Sequence, residues 1–182
     1  MKTIYASLLA MVSSVLFASL ALADPGTTWD KVLTTGRFVV QSDFGGEAVL
    51  DRETGRVWQR SPSTQSFIWF FALDHCYTLE LGGRKGWRLP TIEELASLVD
   101  TSRTNPSLPV GHPFTNVQFS NASVSIFWSA TTMAGFGGAT PSAWDVVFFN
   151  GAVGNAPKAS ANHAWCVRGG QGVNGSMIDL GT

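Results

Sequence analysis

The period of apolar and polar residues changes several times along this chain, and each change marks an element. Arg37 to Val40 predicts a short first strand. From Ala48 to Arg60, apolar Val49, Val57 and Trp58 flank the polar run Asp51-Arg52-Glu53-Thr54-Gly55. Asp51 can close an Asx turn there and Gly55 can take a positive φ, so the segment predicts a β-hairpin. Next, Trp69, Ala72, Leu73, Cys76, Leu79 and Glu80 share one helical stripe. They predict a helix over Ser66 to Leu81, stopped by Gly82-Gly83. A second helix is marked by Pro90, by Thr91 as N-cap and by Glu94 three residues on, which together read as a capping box. Leu95, Leu98 and Val99 face inward along it, to an end near Asp100.

Thr101 to Ser125 is a long polar stretch with Pro106, Pro109 and Pro113, and it predicts loops. Phe127 to Thr131 predicts a buried strand. Gly135 to Pro141 is a glycine-rich loop. Ala143 to Phe149 predicts a strand covered on both faces, with Trp144, Val146 and Phe148 on one side and Val147 and Phe149 on the other. Asn150-Gly151 is a hairpin turn signal, and a last strand is expected over His163 to Arg168. Strand, hairpin, two helices, long loops and then strands make an α+β order, with two helices packed on an antiparallel sheet.

The N-terminal pattern differs in kind. Met1-Lys2 is followed by an uncharged apolar run to Leu22 and by Ala21-Leu22-Ala23, the order of a cleavable secretory signal. Residues 1–23 are therefore expected to be a signal peptide, 24–47 a lead-in with the first strand, 48–170 the domain, and 171–182 a loosely held glycine-rich tail. Export predicts a periplasmic or secreted location. Losing Lys2 with the leader makes the formal charge of −1 one unit more negative. That balance argues against nucleic acid, and against membrane once the leader is gone.

Cys76 and Cys166 both lie outside the leader, and an even count in an exported chain favours a disulfide. The rival is a zinc site using His75, Cys76, His163 and Cys166. Neighbouring helical residues point about 100° apart, which sets His75 and Cys76 against sharing one metal.

Five segments resemble a bacterial family named after the C-terminal domain of a Legionella collagen-like adhesin. They are Val49-Leu50-Asp51-x-x-Thr54-Gly55-x-x-Trp58, Trp69-x-x-Ala72-x-x-x-Cys76, Gly86-Trp87-Arg88-Leu89-Pro90-Thr91-x-x-Glu94-Leu95, Phe127-Trp128-Ser129-Ala130-Thr131 and Cys166-Val167-Arg168-Gly169. The resemblance implies a C-type-lectin-like fold in which a cysteine on the first helix pairs with one on the last strand. It also implies a binding role, since the namesake domain is an adhesin for sulfated glycosaminoglycans. Asp51, Thr54, Gly55, Trp58, Trp87, Arg88, Thr91, Glu94, Trp128 and Arg168 fall at its structural positions.

Candidate chemistry narrows the function. A lectin-type calcium site needs several carboxylates, and no Asp or Glu lies between Thr101 and Trp144, so no metal or cofactor is expected. With both cysteines assigned to a staple, thiol catalysis has no nucleophile, and the three histidines lie outside any nucleophile motif; no enzyme is expected. Binding of carbohydrate or extracellular polysaccharide without calcium is the first expectation. Its candidate residues are Arg84 and Lys85 with the loop residues Phe114, Asn116, Phe119 and Phe136. The alternative is a protein–protein or self-association surface through Phe67, Phe70 and Phe71, with Phe67 and Phe71 four apart on one helical face. The partners implied are a glycan or cell-surface protein, or a second copy of the chain.

Overall fold

The computed structural model describes residues 36–135 and 141–169. The signal segment, most of the lead-in, the tail from residue 170 and Phe136 lie outside the described residues. Among the described residues, nine strands and two α-helices follow in the order β1 (Phe38–Gln41), β2 (Ala48–Asp51), β3 (Arg56–Gln59), β4 (Ser66–Phe67), α1 (Trp69–Thr78), α2 (Ile92–Ala96), β5 (Ile126–Thr132), β6 (Ser142–Val147), β7 (Ala152–Pro157), β8 (Asn162–His163) and β9 (Val167–Arg168). They make two sheets, β1-β2-β3-β9 and β4-β8-β5-β6-β7. Every pairing is antiparallel except β5 with β8, which runs parallel at Phe127 and His163. The α+β expectation holds, and the single sheet becomes two.

Strand alternation builds two cores. Phe127, Val146, Phe148 and Trp165 join Trp58, Leu95, Leu98, Leu108 and Phe114 in one. Their neighbours Trp128, Ala143 and Cys166 join Trp69, Ala72, Cys76, Trp87 and Leu89 in the other. The β2–β3 hairpin turns as its sequence requires. Asp51 accepts from Glu53 N at 3.1 Å and Thr54 Oγ1 at 2.8 Å, and Gly55 sits at φ 67°. The same carboxylate takes a two-pronged bond from buried Arg37, whose Nη2 also reaches the Ser97 carbonyl at 2.8 Å. This ties the hairpin to the end of α2.

Several boundaries differ from expectation; α2 ends at Ala96, short of Asp100, and β6 spans Ser142–Val147, short of Phe149. The first helix begins at Trp69, because Ser66-Phe67 pairs with β8 as a strand and the Phe67 carbonyl accepts from Trp128 Nε1 at 2.9 Å. It also ends at Thr78, short of the glycines; Gly82 and Gly83, both at positive φ, build a separate turn closed between Leu81 and Arg84. The last strand is broken into β8 and β9, which belong to different sheets; buried Ala164-Trp165-Cys166 crosses between them. Cys166 is held at that crossing by its disulfide to Cys76 (S–S 2.05 Å) and by the bond from Gln59 N to its carbonyl. With both sulfurs in one bond, the zinc alternative is overturned.

Candidate binding surfaces

α1 carries the exposed aromatic surface. Its inward stripe, Trp69, Ala72 and Cys76, is buried as the periodicity requires. Phe70, Phe71 and Tyr77 point outward with 61%, 64% and 79% of their surface exposed. Beside the helix lies an open groove of about 560 Å³, with buried Leu89 and half-buried Leu73 and Ala130 at its base. Phe70 and Tyr77 flank it, and Asp74 and Arg88 contribute one charge of each sign. Phe70 and Tyr77 are seven positions apart, about 10 Å along a helix.

Arg88 is anchored in this position. Its guanidinium makes two bonds to Glu94, at 2.6 and 2.7 Å, while Arg56 adds a third at 2.8 Å. Thr91 and Glu94 complete the capping box of α2 reciprocally. Burial alone would raise the Glu94 carboxyl. The hydrogen bonds from Arg88, then Arg56 and the Thr91 backbone, overcome it and hold the group at about 2. Asp145 is the opposite case. It is 3% exposed on β6 with no salt-bridge partner among the described residues, and burial pushes its carboxyl up to about 6.

The residues expected to form a glycan surface are not brought together. Phe114 is a correction: it lies in the core, edge-on to Phe38 and Trp165, and presents nothing to a ligand. Phe119 is half-buried against Phe127 and His163. Asn116, at φ 57°, donates to Ser61 Oγ at 2.7 Å. Arg84 pairs with Asp43 at 3.1 Å and covers the Phe44 ring, and Lys85 stands 3.6 Å from Glu80. Neither leaves a clustered positive surface for a polyanion.

Phe67 is a second correction. As part of β4 it is half-buried and stacked on His75 at 4.7 Å, so the helical i,i+4 pairing with Phe71 does not exist. Phe70 and Phe71 are exposed as the alternative reading requires. Asp74 and Tyr77 were missed, although Phe70, Asp74 and Tyr77 repeat at helical spacing and could have been found. Trp58, Trp87 and Trp128 are buried, and the Arg168 guanidinium lies 5.7 Å from the Phe44 ring.

A second pocket, of about 590 Å³, opens at the far end of the hairpin. Glu47, Gln59, Arg60, Ser61 and Thr115 line it together with Gly45, Gly46 and Leu81. Sequence gave no local signal for it, because cross-strand register and the loop after Pro113 assemble it.

Among the described residues, no helix is long and apolar enough to cross a membrane, and no group of three His, Cys, Asp or Glu could hold a metal. The family model of the Lcl C-terminal domain matches residues 47–168. No curated protein matches the chain.

Proposed function

The chain belongs to the Lcl C-terminal domain family, and on that premise we propose that it is an exported, non-catalytic binding module that docks through the exposed aromatic face of α1. The family is adhesin-related, which makes binding the coarse function. The observation that carries the finer reading is the outward trio Phe70, Phe71 and Tyr77 on one ten-residue helix. Soluble surfaces seldom cluster large apolar side chains without a partner to cover them. Both cysteines are tied up in the disulfide, so no thiol is available for catalysis.

The occupant of this surface is a second copy of the chain. The groove carries Asp74 and an Arg88 already neutralised by Glu94, so its apolar rim dominates. A two-fold axis would lay Phe70 of one copy on Tyr77 of the other, because an isologous interface must complement itself. Sedimentation equilibrium from micromolar to millimolar concentration tests this. The expected result is a concentration-dependent dimer that Phe70→Ser with Tyr77→Ser converts to a monomer of unchanged far-ultraviolet circular dichroism. A wild-type monomer throughout the range would remove the second copy as occupant. The carbohydrate reading draws its support from the other pocket.

A further inference from the structure

We infer that the polar pocket at the end of the β2–β3 hairpin binds one uncharged pyranose unit. Gln59 is 7% exposed, and its Oε1 accepts from Cys166 N at 3.4 Å. Gln59 lines the pocket, and its Nε2 donates to no protein acceptor among the described residues, which leaves those N–H groups for a ligand oxygen. Beside it, Arg60 is held by two carbonyls, Pro113 O from Nε and Gly46 O from Nη1, each at 3.2 Å. No carboxylate among the described residues pairs with that guanidinium, so it is oriented and unneutralised.

Glu47 supplies the complementary acceptor. It faces Arg60 across the hairpin, where Arg60 N donates to the Glu47 carbonyl at 2.8 Å, yet the two side chains form no ion pair. Ser61 Oγ accepts from Asn116 Nδ2 at 2.7 Å and so keeps its own O–H to donate. Thr115, fixed by its N–H to the Arg60 carbonyl at 3.0 Å, adds a hydroxyl that can do either.

This mixture selects the ligand class. Glu47 and Arg60 cancel in net charge, so the pocket favours neither an anion nor a cation, whereas adjacent hydroxyls can give to the carboxylate and accept from the guanidinium and amide. Half-buried Leu81 offers an apolar wall for the C–H face of a ring. No calcium is needed, since protein groups make every contact. None of these residues lines the α1 groove, so the two sites can fail separately.

Saturation-transfer NMR and titration calorimetry with methyl glycosides of glucose, galactose and mannose, in chelator, test the inference. At least one is expected to bind. Gln59→Glu keeps the acceptor for Cys166 N–H but removes the donor, and Thr115→Val removes a hydroxyl at constant shape; each should weaken binding tenfold or more. Phe70→Ser should leave it unchanged. The inference is overturned if none of the three glycosides binds, if glucuronic acid or free glycine binds in their place, or if both pocket variants bind as wild type does.

Discussion

The two helices are secured differently. α2 is five residues long and carries its own polar fastenings: its capping box and Arg88 are local, while Thr131 Oγ1, accepting from Ile92 N at 2.9 Å, and Arg56, on Glu94, come from 39 and 38 residues away. α1 has ten residues and no side-chain cap. Distant segments fasten it: Trp69 N to the Lys158 carbonyl, Trp69 Nε1 to the Ser129 carbonyl at 2.8 Å, Lys158 Nζ over the Trp69 ring at 4.1 Å, and Cys76 to Cys166. Because its inner stripe carries all the anchoring, the outer face of α1 is free of structural duty. A docking surface can sit there without weakening the fold.

The disulfide gives the largest expected break in that comparison. Its loop spans a separation of 90 residues, for which the chain-entropy model gives about 4 kcal/mol or more. Replacing both cysteines with Ser should lower stability in urea by about that amount and loosen α1 before α2. Amide hydrogen exchange that rose equally in both helices would contradict the division of labour.

Charge should act on α2 next. Glu94 titrates at about 2 in place of its ordinary 4.5, so its contribution is complete above pH 4.5 and disappears as pH falls towards 2. Glu94→Gln is therefore expected to cost about 2 kcal/mol at neutral pH and to flatten the acid limb of the stability curve. Asp145 has the reverse sign. The fold favours its protonated form, so stability declines as pH rises from about 3.8 through about 6. Asp145→Asn should then gain roughly 1 kcal/mol above pH 6 and nothing below pH 4. Urea midpoints across that range measure both.

Smallest of all should be Phe70→Ser or Phe71→Ser. Each ring is mostly exposed, so the urea midpoint should move by no more than about 0.5 kcal/mol equivalent. A large loss would mean that these rings hold the monomer together.

One glycine sharpens the view of the turn between the helices. Gly82 has φ 55°, and a Cβ there would stand 2.5 Å from Phe44 Cα, so Gly82→Ala must displace backbone at the edge of the polar pocket. The turn seats Leu81, the apolar wall, and Gly82 N donates to Glu47 Oε2 at 3.2 Å.

Local chemistry made much of this molecule legible in advance. The Asx turn at Asp51, the capping box at Thr91 and Glu94, the inward stripe of α1 and the turn at Asn150-Gly151 all depend on residues a few positions apart. Those interactions form wherever the chain goes, so the sequence alone determined them. The cysteine pair was legible by count.

The tertiary structure decided everything that needs distant partners. It drew Ser66-Phe67 out of the helix by giving them β8 to pair with, and it split the final strand because Trp165 and Cys166 fill different cores on the way between sheets. It hid Phe114, left Phe70 and Tyr77 beside a groove, and set Glu47, Gln59 and Arg60 around one pocket. A side chain's exposure depends on which remote surface arrives to cover it, and no periodicity within its own segment carries that information.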